Sequence, residues 1–597
     1  MYRTATAIAI SAICLLVAAC DRTSTAGTPI DGSSSKPKVL YMPIRSDGPK
    51  SMDPVKGSTV YENHTVSQLY ETLLQYKYLA RPPQLEPLLL SEMPGISNGG
   101  RTYRFKLKRD VYFHDDVCFP EGKGRELVTS DVFYSWKRMA DNKNLPKSWW
   151  LFENTIVGFD EFRSQQNAAE TFDYAAPVEG FREISSHEFE VELVEPVTRF
   201  LWVLAMFQTS IVPHEAANHY GKRFNRHPVG TGPFLMDEDD WIPGLSMRLT
   251  RNQNYHPSYY PDEHMPEDEE LGFHLAAGER LPICDRIEFQ FFRQDQPMWL
   301  KFRTAQIDYT QVPAEFFRKA FVKRTAALRP LFREEGIVDH AVPLLDFIFR
   351  GFNMQDPVVG GYSEQNRSLR QAMSLAVDFD EFNETFYNGH NRVYDGPIPP
   401  GLAGHPVGGR LTGAFRGPDL ERARRLMQKA GYPGGKGLPD IDFYVAIAAN
   451  SPEQAELLRR QMSEIGIRLN VQLVDFSTLI EAVNNKKAQM FTFAWSSDYP
   501  DGENNLALFY GPNEAPGSNF SNYKNADYDK MYEQIRSMQA SPERTKILAA
   551  MRDSLRDDVP FIGSMARTRF YLVNRRLKNF KPTEDFYTWY KYLDVED

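Results

Sequence analysis

The sequence predicts an α/β fold, and three stretches carry that prediction. Asp419 to Ala430 places Leu420, Ala423, Met427 and Ala430 on one helical face, and Gly431 stands where a left-handed terminator belongs. Ser451-Pro452-Glu453-Gln454 has the pattern of a capping box with proline at the first helical position, and the helix it opens is predicted to run to about Glu464. Ile467, Leu469, Val471 and Leu473 then alternate with polar residues as a strand, and Met490–Trp495 is an apolar run of the kind that forms a buried one. Helix followed by strand, repeated, points to α/β layering.

The chain opens on a segment outside that fold. Arg3 precedes the apolar run Ala5–Ala19, which is too short for a comfortable membrane span and reads as an export signal. It ends Val17-Ala18-Ala19-Cys20, which resembles the lipobox of bacterial lipoproteins. That resemblance implies a signal peptide over 1–19, a lipid on Cys20 and, from Asp21, retention at the inner membrane. Residues 20–37 are rich in Ser, Thr, Gly and Pro and read as a flexible tether.

Roughly 560 residues remain, enough for two or more domains with a large core. A hydrophobic content of 42% marks a globular body, and the net charge of −10 argues against a nucleic-acid binder, whose phosphate contacts need a basic excess. Of the 4 cysteines, Cys118 and Cys284 lie in the folded body and form a candidate disulfide pair. No C-x-x-C occurs, so neither a zinc ribbon nor a thioredoxin-type site is indicated, and no cofactor is expected.

In order, Lys38–Met42 reads as a strand, Ser51–Pro54 as a turn and Val66–Leu74 as a helix. Thr102–Lys108 alternates as a half-buried strand, and Thr129-Ser130-Asp131 has the residues to cap a helix carrying Val132, Phe133, Trp136 and Met139. Gly230-Thr231-Gly232-Pro233 reads as a turn, since no helix-opening G-x-x-G continues it. The chain also lacks G-x-x-x-x-G-K-[ST], so it is not itself a P-loop ATPase.

The order S-M-D-P (51–54), L-Y-E-T-L-L (69–74), Y-R-F-K-L-K-R-D-V-Y-F-H-D (103–115), T-S-D-V-F-Y-S-W-K-R (129–138), H-P-V-G-T-G-P-F (227–234), N-R-S-L-R-Q-A-M-S-L-A-V-D (366–378) and W-S-S-D-Y-P-D (495–501) resembles the periplasmic oligopeptide- and dipeptide-binding proteins of ABC importers, along nearly the whole chain. The resemblance implies a two-lobed periplasmic binding protein fold of type II with an extra subdomain in the first lobe. Its expected parts are a lobe I core over 38–70, 206–295 and 563–597, the subdomain over 71–205 and lobe II over 296–562. It also implies a monomer that closes by hinge motion over an extended peptide and delivers it to a membrane permease.

The stretch that matters most is Phe493–Asp501. Two carboxylates, Asp498 and Asp501, follow a strand end and are flanked by Trp495 and Tyr499, an arrangement suited to a cation. The plain alternative is a solvated turn, with Trp495 packed in the core. By the resemblance, Asp498 is the first candidate to pair with a peptide's α-ammonium and Asp501 the second. Basic residues that relatives use for the peptide carboxylate are missing: Thr492 and Asp356 stand where oligopeptide binders carry Arg and Lys. Arg350 is the candidate substitute, against a surface or structural role; Arg370 reads as a structural salt-bridge partner. Two insertions, Val117–Glu126 and the acidic Tyr259–Cys284, depart from the family and each holds one of the two body cysteines.

Three rivals stay open, one of them a lipid-anchored chaperone or sensor subunit. The same fold can hold a metal chelate, haem, a sugar or a signal molecule. An exported hydrolase has less support: there is no G-x-S-x-G or H-E-x-x-H, and His214 and His219 are spaced wrongly to share a helical face.

Overall fold

The computed structural model describes residues 36–448, 450–583 and 586–596, so the signal segment, Cys20 and most of the tether lie outside the described residues. Residues 38–597 form one compact unit. No helix among the described residues is long and apolar enough to cross a membrane.

Two large hydrophobic cores and one small one organise it. The first gathers residues 40–291 with Tyr309 and parts of 571–595. It contains a five-stranded sheet in which Val39–Ile44 runs parallel to Arg286–Phe291, followed by Ser246–Arg251 and Phe234–Leu235, with Trp241–Ile242 also on Ser246–Arg251. A four-stranded antiparallel sheet, 95–97, 102–106, 188–192 and 181–185, completes it. The second core spans 347–566 around a six-stranded mixed sheet, ordered 392–394, 561–566, 346–352, 490–496, 441–446 and 469–474. A third cluster, from 292–337 with Phe570 and Leu572, packs on the small sheet formed by 309–311, 568–573 and 338–343.

Much of the local reading holds. Thr102–Lys106 is a strand with alternating burial. Leu420–Lys429 is a helix capped by Asp419, whose side chain accepts from Arg422 N at 3.0 Å, and it stops at Gly431 with φ +86°. The apolar run Met490–Trp495 is a strand, Met490–Ser496, and its partner Asp346–Phe352 is buried on both faces, as a strand inside a covered sheet must be.

Four expectations change. The helix read at Val66–Leu74 is Val60–Leu69, and the chain extends from Tyr70 onward. The reason is tertiary: the Leu69 carbonyl accepts from Gly232 N at 3.0 Å. A Cβ at Gly230 would stand 2.2 Å from that oxygen, so only glycine permits the approach. Thr129 is the first residue of its helix and not its cap, with its hydroxyl donating to the Ser185 carbonyl at 3.0 Å. The capping box at 451–454 does not form. Asn450 is the cap residue, with φ +64°, Ser451 Oγ instead accepts from Ala448 N at 3.1 Å, and Gln454 donates to the Tyr387 hydroxyl at 3.3 Å. Finally, Cys118 and Cys284 are not bonded to each other. The Cys284 thiol is buried and donates to the Leu593 carbonyl at 3.3 Å, whereas Cys118 sits in a separate group with Asp116, Tyr220 and His227. Arg370 is structural, but through carbonyls: its Nε donates to Asp558 O and its Nη1 to Val359 O and Gly361 O.

The first core is locked by a buried carboxylate. Glu71 accepts from the Tyr255 hydroxyl at 2.7 Å, from Thr231 Oγ1 at 2.9 Å and from His256 Nε2 at 3.0 Å. Burial alone would raise its pKa, but His256, Lys591 and these hydrogen bonds bring it down to about 2. Because the folded value lies below the unfolded one, this contribution is complete above the ordinary carboxylate range and is lost as pH falls through about 2. Glu71→Gln should cost about 3 kcal/mol at neutral pH. It should also flatten the acid limb of stability below pH 4.5, measured by urea unfolding across pH; an unchanged limb would contradict the assignment. Separately, alkylation of denatured, unreduced protein should label both Cys118 and Cys284, read by peptide mass.

Candidate functional site: a cleft at the end of a buried strand

Met490–Ser496 pairs antiparallel with Asp346–Phe352, Trp495 facing Phe347 and Thr492 facing Arg350. Burial fades along it, from fully buried Met490 to exposed Ser496. The chain then turns, with Ser497 N donating to the Leu345 carbonyl at 3.0 Å, and re-enters the fold as the short helix Gly502–Leu506. A strand that leaves the core and returns within a few residues holds the intervening side chains rigidly at its end.

Asn504 fixes that geometry. Its Oδ1 accepts from the Trp495 indole N–H at 2.8 Å and from Asp498 N at 3.2 Å, while its Nδ2 donates to Asp498 Oδ2 at 3.0 Å. Asn505, fully buried, accepts from Ser497 Oγ at 2.7 Å. Tyr499 is buried, and its hydroxyl donates to Glu503, which also accepts from the Tyr532 hydroxyl.

These residues face a cavity of about 620 Å³. Trp495, Asp498, Tyr499 and Asn504 come from the second core, and Trp150 and Arg199 from the first side of the chain. Asp498 remains solvent-accessible at the cavity wall. Enclosure by the walls raises its carboxyl above the ordinary range, against the opposing pull of the Asn504 amide and the Arg199 charge. No ion pair to Asp498 occurs among the described residues. The site therefore presents an anchored carboxylate, open to the cavity, beside an indole, which suits a cation.

The structure brings Asp498, Trp495 and Tyr499 together and sets Asp501 and Arg350 apart. Asp501 caps the Gly502–Leu506 helix, accepting from Glu503 N at 2.9 Å, and pairs with buried Arg544 at 2.7 Å. Arg350 lies on the face of its strand opposite to Phe347 and Trp495. It is 3% exposed between the rings of Phe379 and Phe382, with Nη1 unpartnered, and burial lowers its pKa to about 10. Asn504, Glu503, Tyr532 and Arg199 were not anticipated. The Asn504-Asn505 pair just past the turn is a signal in retrospect; Arg199 and Tyr532 have none nearby in sequence.

Residues 84–517 match the model for bacterial extracellular solute-binding proteins, family 5. The chain belongs to that family. Among its relatives, Heme-binding protein A of Haemophilus influenzae is 22% identical and aligns over 96% of each chain. Probable di/tripeptide-binding protein 5 of Pseudomonas aeruginosa is 24% identical over 82% of this chain and 84% of its own. A solved periplasmic binding protein of Helicobacter pylori, DppA in complex with peptide STSA, superimposes with a TM-score of 0.68 at 20% identity, covering 94% of this chain and 98% of the other. The fold shared with such structures is the two-lobed α/β binding-protein fold, and these relatives are named as binding proteins.

Asn504→Ala removes three hydrogen bonds at once. It should leave the fold intact, lower stability by about 1–3 kcal/mol and red-shift the emission assigned to Trp495; an unchanged Trp495 environment would mean that the indole is held by packing alone.

Proposed function

We propose that this protein is the peptide-capturing subunit of an ABC importer, with Asp498 receiving the ligand's α-ammonium. The observation that carries this reading is the Asp498 carboxylate, enclosed at the strand end and held by an amide without an ion-pair partner. An ammonium stripped of water needs such a partner, and a carboxylate so placed gains one. Trp495 and Tyr499 shape the adjoining wall. The peptide lies extended between the lobes, so that backbone hydrogen bonds supply affinity with little regard to sequence. The two large cores correspond to the lobes, which close by a hinge and then dock on a permease. Cys20 carries the lipid that holds the monomeric protein on the outer face of the inner membrane, in the periplasm.

Two observations favour a second reading, a non-peptide ligand in the same cleft. Arg350 stands outside the cavity, leaving a peptide carboxylate without that partner, and a full-length relative is named for haem.

Mass spectrometry of small molecules released by denaturing the protein as purified from cells separates the two. A ladder of mixed peptides is expected, and a single non-peptide species would overturn the peptide reading. Asp498→Asn should weaken peptide binding by about 3–5 kcal/mol, measured by calorimetric titration. In the wild type, affinity should fall with pH sooner than an ordinary aspartate allows, because protonation of the raised carboxyl removes the ammonium's partner.

A further inference from the structure

Arg199 enters the cavity from the segment that follows the strand Glu188–Glu192, far from Asp498 in the chain. Its position is fixed by its neighbours. Thr198 N donates to the Arg536 carbonyl at 2.9 Å, and the Thr198 hydroxyl donates to the Met538 carbonyl at 2.6 Å. Glu195 pairs with Arg536 at 2.5 Å. The segment is thus tied, at two residues just before Arg199, to the end of the helix Ala526–Arg536 and the turn that leads to Pro542–Asp558.

Arg199 shares the cavity wall with Tyr499, Glu503, Tyr532 and Asp498, and against burial the tyrosine hydroxyls and the charge of Glu503 hold its pKa up. Glu503 is already engaged, each of its oxygens accepting one tyrosine hydroxyl. No carboxylate oxygen among the described residues comes within ion-pair distance of Arg199. Arg536, the other arginine on the wall, is taken by Glu195. Glu153, a second carboxylate on the wall, is exposed like Asp498 and has no ion pair among the described residues. Arg199 is therefore the one guanidinium of the cavity wall without an ionic partner among the described residues, and Asp498 is a carboxylate in the same state. A planar fork of donors in that state is an anion receptor.

We infer that Arg199 is a specificity-determining residue and that the cavity selects peptides whose first residue carries a side-chain carboxylate. The ammonium sits on Asp498 and the side-chain carboxylate on Arg199, a reading that rests on the amine role of Asp498. The selection has a repulsive half as well: a cationic first side chain would meet the guanidinium.

Calorimetric titration of the wild type and of Arg199→Gln and Arg199→Lys with Asp-Ala-Ala and Asn-Ala-Ala tests it, since the two peptides differ only in charge at the first side chain. Wild type should bind the Asp peptide about tenfold tighter than the Asn peptide. Arg199→Gln should bring that ratio to about one, and Arg199→Lys should keep part of it, with unchanged melting temperatures as the control for folding. A wild-type ratio of one or less, or a ratio that survives in Arg199→Gln, overturns the proposal. N-acetyl-Asp-Ala-Ala separates the two readings. If it alone binds wild type, and not Arg199→Gln, Arg199 keeps its role and Asp498 loses the amine; if none of the three peptides binds, both assignments fall.

Discussion

The buried carboxylate of Glu71 is the constraint on which the first half of the molecule depends. It joins four pieces of chain that are remote in sequence: the end of the Val60–Leu69 helix, the Gly230–Gly232 turn, the Tyr255-His256 pair and, through Lys591, the C-terminal segment. A charge so deeply buried is tolerable only when every lone pair is satisfied, so the surrounding backbone has little freedom. That explains why glycine is required where the chain passes Leu69, and why the helix stops there although its sequence would let it continue. Lys591, buried with its ammonium on Gln75 and its pKa lowered to about 8, completes the same network at the cost of its own desolvation.

The second half rests on a different device. Its central strand is covered on both faces for most of its length and loses that cover only at Ala494–Ser496. There the backbone must either find new partners or meet water. Asn504 and Asn505 supply the partners from one helical turn, with side-chain amides that offer donor and acceptor together. A neutral clamp of this kind orients Asp498 without neutralising it. Asp501, three residues on, illustrates the contrary outcome: a guanidinium and a helix N-terminus take up its charge. Two carboxylates in one loop thus have opposite fates, and what separates them is the identity of the group across from each.

That difference marks the limit of what the chain reveals without its fold. Features set within one turn of backbone were legible: the amphipathic helix read over 419–430 with its Gly431 stop, and the alternation of Thr102–Lys106. Features set by remote neighbours were not. Ser451 has the chemistry of a cap, but its hydroxyl is engaged by the Ala448 N–H, and the Val66–Leu74 pattern lost to a close backbone approach. At the site, the aromatic and acidic residues of 495–501 were visible as a group. Their ranking followed from a resemblance, since Arg544 stands far from Asp501 in sequence. Arg350 drew notice as a substitute for the missing basic anchors, and strand parity alone sends it to the other face.

Arg199 belongs wholly to the second category, and its placement links the two halves energetically. Its distance from Asp498 is not fixed by any single element. It follows from Thr198 holding the Arg536 and Met538 carbonyls, and from Glu195 holding the Arg536 side chain. Backbone carbonyls at the end of a helix are strong acceptors that otherwise face water, so these bonds satisfy groups that the Ala526–Arg536 helix leaves open. The same contacts that finish a helix in the second core therefore set where a cation from the first side meets the carboxylate. Substitutions at Thr198 would act on the cavity without touching its contents, by releasing the segment that carries Arg199. The shared placement of the two charges on one cavity wall is consequently a property of how the cores are joined.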